Sequence, residues 1–304
     1  MKSTRNRTCK LIAIILFLFI ALSSSACGGV PPTEPAPEPP PSVATFEQAV
    51  TNPGSESPPQ TSSEPQPPAE AELIVFAAAS MTNTLEEIAL LYKEIAPHIT
   101  LIFNFDSSGT LKTQIEEGAE SDLFISAAQR QMNELEELGL LFDGTRINIL
   151  ENKVALVSAP GNPKNIAGFT SLVDALLGGD ILMAIGNSDV PVGQYTISIF
   201  GYFGLDEDAL ARSGVLTYGS NVREVTTQVS EASVAVGIVY QTDAFSAKLD
   251  VLDFATPEMC GQIIYPAAVL RDTANMEEAQ AFLNFLFTPA ALAVFESVGF
   301  SALR

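Results

Sequence analysis

Cysteine is scarce in this 304-residue chain, which holds only Cys9, Cys27 and Cys260. Cys9 falls in a basic leader, so the chain beyond the leader cannot carry a disulfide framework or a cysteine-type metal cluster. Histidine is scarcer still. His98 is the only one, directly after Pro97 at the end of a helical stretch, where a surface position is expected. A zinc site would need further ligands of that kind, and there is no Gly-x-Ser-x-Gly elbow for a hydrolase nucleophile. These gaps argue against an enzyme, and they imply no cofactor and no metal site. Basic residues are also few. The formal net charge is −21, and removing Lys2, Arg5, Arg7 and Lys10 with the leader leaves 11 basic against 36 acidic residues, or −25. Neutralising phosphates requires Lys and Arg, so nucleic acid is excluded as a partner. The same deficit removes the simplest grip on a small anion, a cationic clamp.

What is present begins with an export signal. The basic start is followed by an apolar run from Leu11 to Leu22, too short for a good membrane span. It ends in Ser24-Ser25-Ala26-Cys27-Gly28-Gly29, which resembles a lipoprotein processing site with Cys27 as the acylated residue, although Ser24 stands where Leu, Val or Ile is usual. Residues 1–26 are therefore read as signal and 27–71 as a lipid-anchored tether. Residues 28–71 hold thirteen of the twenty prolines and no Lys or Arg. Such a stretch cannot bury enough apolar surface to fold; as a coil it spans roughly 40 Å.

From Glu72 onward, short apolar runs alternate with helical periodicity. Strands are predicted at Leu73–Ala77, Thr100–Phe105, Asp122–Ser126, Lys153–Ser158, Ile181–Gly186, Val215–Tyr218, Ser233–Tyr240 and Ile263–Leu270. Helices fall between them and at the end, near 84–95, 110–117, 128–138, 171–176, 194–203, 222–231, 277–286 and 289–297. This order predicts an α/β fold with mainly parallel sheets. Lys153–Val157 and Ile264–Leu270 look like crossings between two bodies.

In open α/β sheets ligands gather where strands end and helices begin, because a helix N-terminus offers free N–H groups and positive dipole. Four such joints are built from small or hydroxyl residues. The first is Ala77-Ala78-Ala79-Ser80-Met81-Thr82-Asn83, in which Ser80 either faces inward or simply caps the helix. The second is Asp106-Ser107-Ser108-Gly109-Thr110, a cluster of donors or a polar turn capped by Thr110. In the third, Val190-Pro191-Val192-Gly193, the N–H groups of Val192 and Gly193 are candidate donors. In the fourth, Gly219-Ser220-Asn221-Val222-Arg223, Asn221 reads as the cap and Val222 N–H lies in the first turn; Arg223 is expected to pair with an acidic neighbour. Tyr240 ends an apolar strand and carries a phenol either to a lobe edge or into the core.

Taken together, Val75-Phe76-Ala77-Ala78-Ala79-Ser80-Met81-Thr82, Asp122-Leu123-Phe124-Ile125-Ser126-Ala127 and Gly237-Ile238-Val239-Tyr240-Gln241-Thr242-Asp243-Ala244 resemble the periplasmic molybdate-binding proteins of ABC importers. Val190-Pro191-Val192-Gly193, Asn221-Val222-Arg223, Tyr265-Pro266 and Val298-Gly299-Phe300 come in the same order. The resemblance implies a two-lobed, type II-like periplasmic-binding-protein fold with a hinge: residues 72–154 and 263–304 as lobe one, and 155–262 as lobe two. It implies an oxyanion, molybdate or tungstate, held by the hydroxyls of Ser80, Ser108 and Tyr240 and the backbone N–H groups of Val192 and Val222. It further implies delivery to an ABC permease by a monomer anchored outside the cytoplasm. Val192 stands where the family often has Ala, Asn221 where Asp is common, and Gly109 where some relatives have Ser. Sulfate, phosphate or a small organic acid are the alternative ligands, the last of which would call for an Arg fork near the cleft. A structural lipoprotein with a dead cleft is the remaining alternative.

Overall fold

The computed structural model describes residues 69–303. The expected export signal, Cys27 and the tether as far as residue 68 lie outside that span. The chain first builds β1 (Ala71–Ala78), a 3₁₀ turn (Ala79–Met81), α1 (Thr82–Ile95), β2 (Ile99–Asp106), α2 (Ser108–Glu116), β3 (Leu123–Ile125), α3 (Gln129–Glu137) and β4 (Ile147–Asn152). It then builds β5 (Val154–Ser158), α4 (Phe169–Gly178), β6 (Met183–Gly186), α5 (Pro191–Tyr202), α6 (Glu207–Ser213), β7 (Leu216–Gly219), α7 (Val222–Ser230), β8 (Val236–Tyr240), α8 (Gln241–Ala247), β9 (Asp250–Phe254) and α9 (Pro257–Cys260). It closes with β10 (Ile263–Val269), α10 (Met276–Phe285), α11 (Pro289–Ser297) and β11 (Ser301–Ala302).

Two sheets result, in the orders β11-β4-β10-β3-β1-β2 and β7-β6-β8-β5-β9. Each sheet is the centre of one lobe, so the fold is a two-lobed α/β architecture. Lobe two is inserted between Asn152 and Ile263, and both ends of the described chain, β1 and β11, lie in sheet one. Strand β1 shows why the apolar runs are continuous. Leu73, Val75 and Ala77 enter the main core, while Phe76 packs on the other side with Leu111, Ile115 and Phe124. Helices cover both faces, and each fully buried large side chain contributes about 1.5–3 kcal/mol.

The sheets are mixed rather than mainly parallel. Strand β1 runs parallel to β2 and β3, and β6 parallel to β7 and β8. In contrast, β10 is antiparallel to β3 and β4, and β5 is antiparallel to β8 and β9. The reason is the crossing itself. Strands β1, β3, β6 and β8 end at the interlobe side, whereas β5 and β10 start there, having just come across, and must run the other way. The first crossing is one residue earlier than the expected 154/155 boundary, because Val154 already pairs with Tyr240 in sheet two. Strand β1 likewise begins at Ala71, one residue before the expected start of lobe one.

Candidate functional site

The joints β1–α1, β2–α2, β6–α5, β7–α7 and β8–α8 converge between the lobes on a small cleft of about 10 Å³, lined by Ala79, Ser80, Ser108, Pro191, Val222 and Tyr240 among others. Space on this scale is about that of a single water. No Lys, Arg or His is among the lining residues. A larger hollow of about 430 Å³ at the far end of sheet one has the acidic residues Glu72, Glu120, Asp122 and Asp272 in its walls. Its buried carboxylate, Asp122, already accepts from Ile74 N–H and the Asn275 amide, so the hollow offers an anion nothing.

Ser80 does not cap α1. Its hydroxyl lies 3.0 Å from the Tyr265 hydroxyl, and the helix continues from the preceding 3₁₀ turn with Met81 at its N-cap. In the second joint the cap is Ser107, not Thr110: Ser107 Oγ accepts the Thr110 N–H at 3.1 Å. That frees Ser108, which is fully buried and whose Oγ accepts the Ala127 N–H at 2.9 Å. With a lone pair so engaged, the Ser108 proton is the part left for the cleft.

In lobe two, Val190 is the N-cap of α5 and Pro191 its first residue, which places Val192 N–H in the first turn, where no intrahelical acceptor exists. Val192 itself is not among the residues lining the cleft, which at this joint are Val190 and Pro191, and its side chain is buried. Gly193 packs so tightly that a Cβ would overlap the carbonyls of Gly186 and Asn187. Asn221 caps α7 by accepting from Glu224 N–H at 3.2 Å, leaving Val222 N–H at the open end.

Tyr240 is 1% exposed, and its hydroxyl has no hydrogen-bond partner among the described residues. Its ring packs edge-on against Tyr195 and Tyr265. Burial, with the neighbouring Tyr265 phenol, pushes its pKa well above the ordinary value, so the group stays a donor. A buried hydroxyl left unpaired costs about 1–3 kcal/mol.

Several hydrogen bonds join the lobes around the cleft, among them three that flank it. Gly109 N–H donates to the Asp189 carbonyl at 3.1 Å, and a Cβ on Gly109 would overlap that oxygen. The Asn221 amide donates to Asp106 Oδ1 at 3.3 Å. Arg223 donates to Asn83 Oδ1 at 3.2 Å. Arg223 therefore bridges the lobes through an amide rather than the expected acidic partner. Asp243 stands nearby with Oδ2 unpartnered, and burial pushes its carboxyl up to about 7 against the opposing pull of Arg223.

The sequence reading missed several residues here. Asp106 stands at the cleft wall, with Oδ1 engaged by Ser107 N–H and Asn221. Asn152 and Tyr265 lie behind Ser80, joined at 3.2 Å. The available signal for Asn152 was a polar residue placed at a crossing between two apolar strands.

A model of bacterial extracellular solute-binding proteins matches residues 73–301. A Bacillus subtilis chain provisionally named an ABC transporter substrate-binding lipoprotein is 32% identical, over 76% of this chain and 86% of that one. The molybdate-binding protein of Haemophilus influenzae is also 32% identical, over 77% of this chain and 91% of its own length. Among solved structures, the periplasmic molybdate-binding protein of Azotobacter vinelandii superposes with a TM-score of 0.67 at 23% identity, over 76% of this chain and 100% of that one.

Proposed function

The chain belongs to the bacterial extracellular solute-binding proteins, and from that premise we propose that it captures molybdate, and tungstate with it, between its lobes for an ABC permease. The observation that carries this reading is the buried, unpartnered Tyr240 hydroxyl in a cleft without a cation. We assign the anion to this hydroxyl together with Ser80, Ser108 and the first-turn N–H groups of Val192 and Val222, from both lobes; Ser80, Ser108 and Val222 line the cleft, and Val192 follows the lining residue Pro191. Several neutral donors in a dry cleft hold a dianion without a counter-charge, because charge-assisted hydrogen bonds strengthen at low dielectric. Donors also reject a protonated ion. Hydrogen phosphate brings a proton that needs an acceptor, and burying it unpaired costs about 1–3 kcal/mol. Molybdate, tungstate and sulfate carry no proton at neutral pH, so cavity size must separate them. Relatives named for molybdate favour that ion over sulfate.

Bridging the lobes, the anion favours the lobe-to-lobe arrangement by its differential affinity. The family is one of transport rather than catalysis. Acylation of Cys27, in line with the lipoprotein name of the Bacillus relative, would hold a monomer at the outer face of the membrane on its proline-rich tether.

Calorimetric titration of the desalted protein with molybdate, tungstate, sulfate and phosphate tests the reading. Tight one-to-one binding of molybdate and tungstate is expected, with sulfate weak and phosphate weaker still. Sulfate binding best would replace the ligand. Silence from all four would remove the oxyanion assignment altogether.

A further inference from the structure

Ser80 is useful to a dianion only if it presents its hydrogen, and a serine hydroxyl can equally present a lone pair. The groups that bear on its orientation lie outside the lining of the cleft. Asn152, the last residue of β4, accepts the Lys153 N–H on Oδ1 at 2.8 Å. Lys153 N–H can only donate, so the Asn152 amide is fixed with its NH₂ group on the other side. That NH₂ donates to Thr242 Oγ1 at 3.0 Å and to the Tyr265 hydroxyl at 3.2 Å. A lone pair of Tyr265 is thereby taken, and in its contact with Ser80 Oγ at 3.0 Å, where either oxygen can donate, the arrangement that matches this bond has Tyr265 donating. The Ser80 proton is then left to point at the cleft. Asn152 and Tyr265 are both buried, so bulk water does not scramble the chain.

We infer that Asn152, acting through Tyr265, sets the direction of this hydroxyl chain and so makes Ser80 a donor, which renders the site selective for oxyanions that carry no proton. This rests on the oxyanion reading above. Asn152 and Tyr265 are positioning residues, and both belong to the strands that make or receive the crossings, β4 and β10. The chain thus begins one residue from the point where the polypeptide leaves lobe one.

The inference predicts a change in selectivity, not merely in affinity. In Asn152→Asp the amide donor becomes an acceptor. Tyr265 then donates to residue 152, Ser80 donates to Tyr265, and a Ser80 lone pair faces the cleft. That lone pair suits the proton of hydrogen phosphate and repels an unprotonated oxygen. The measurement is the ratio of molybdate to phosphate affinity at pH 8, for wild type, Asn152→Asp, Tyr265→Phe, Ser80→Ala and the double variant Asn152→Asp/Ser80→Ala. Both ions are essentially dianions at that pH, so the repulsion of a new buried carboxylate largely cancels in the ratio. The ratio is expected to fall at least tenfold in Asn152→Asp. It should fall at least threefold in Tyr265→Phe, which removes the relay without adding charge and serves if the first variant does not fold. On the Ser80→Ala background the effect of Asn152→Asp should vanish, as coupled neighbours require. A ratio within twofold of wild type in a folded Asn152→Asp or Tyr265→Phe protein overturns the inference, as does an undiminished effect on the Ser80→Ala background. A wild-type protein that binds neither ion removes the oxyanion reading itself and this inference with it.

Discussion

Replacing Tyr240 with Phe separates a binding role from a structural one, because the two roles predict opposite signs. The ring stays in its packing against Tyr195 and Tyr265, and only an oxygen with no partner among the described residues is lost. In the free protein that oxygen is a liability of about 1–3 kcal/mol, so its removal raises stability. For a body of this size 1 kcal/mol moves Tm by roughly 2–4 °C, and a rise of at least that order is expected without ligand. With molybdate bound, the variant loses one hydrogen bond to a charged group, worth about 1.5–3 kcal/mol. Affinity should therefore fall roughly 10- to 150-fold. Melting curves with and without molybdate, beside calorimetry, read both effects. The upward shift of Tm on adding ligand should shrink even as the ligand-free Tm rises. Affinity within twofold of wild type, together with a lowered Tm, would refute the argument and return Tyr240 to the core.

The other predictions concern the surroundings of the cleft. Gly109→Ala places a methyl group against the Asp189 carbonyl of the opposite lobe, so affinity should fall by about 5- to 150-fold through a penalty of 1–3 kcal/mol on the joined arrangement. Its Tm without ligand should hold, since Ala suits the first turn of α2; calorimetry showing unchanged affinity would count against a role for the Gly109–Asp189 contact in binding. Ser108→Ala leaves the buried Ala127 N–H without its acceptor, so it should weaken binding and also lower stability by about 1–3 kcal/mol, measurable by denaturant unfolding. Asp243 supplies a pH test. Burial raises its carboxyl from 3.8 to about 7, so the folded chain retains a proton that the unfolded chain has released. That stabilisation is full below about pH 4 and is lost as pH rises to about 7, at most about 4 kcal/mol. Asp243→Asn should flatten the decline in Tm between pH 5 and pH 8; an unchanged slope would show that Asp243 ionises freely.

Much of the scaffold was legible because burial on both faces writes itself as unbroken apolar sequence. Strands β1, β2, β3, β5, β6, β7, β8 and β10 fall within a few residues of their predicted places. Elements without that signature were missed. Strand β4 (Ile-Asn-Ile-Leu-Glu-Asn) alternates into polarity at a crossing, β9 lies at an edge with its first residues exposed, and β11 is two residues long. Helices α6, α8 and α9 span seven, seven and four residues, too few for a helical period to show. Such elements are held by packing rather than by propensity. Strand direction was overstated as parallel because a run of apolar residues carries no sense of which way its neighbour travels. Four of the five joints at the cleft were legible as small-residue strand ends, and the fifth only through Tyr240 at the end of an apolar strand. Orientation was not: whether Ser80 caps a helix or meets Tyr265 depends on a residue 185 positions away. The partner of Arg223 is likewise 140 positions distant, and no local pattern announces Asn83.

The insertion of lobe two has a mechanical consequence. A pull on the residues preceding Ala71 is borne by β1, which is flanked by β2 on one side and β3 on the other. Such a load is resisted in shear along two ladders of backbone hydrogen bonds and never passes through Lys153 or the return at Cys260–Ile263. The polypeptide enters and leaves lobe two at those two points, so the strain of any leash on the residues before Ala71 is spent in the opposite lobe. Drag on such a leash would then leave the geometry of the cleft untouched, whether the chain is slack or taut.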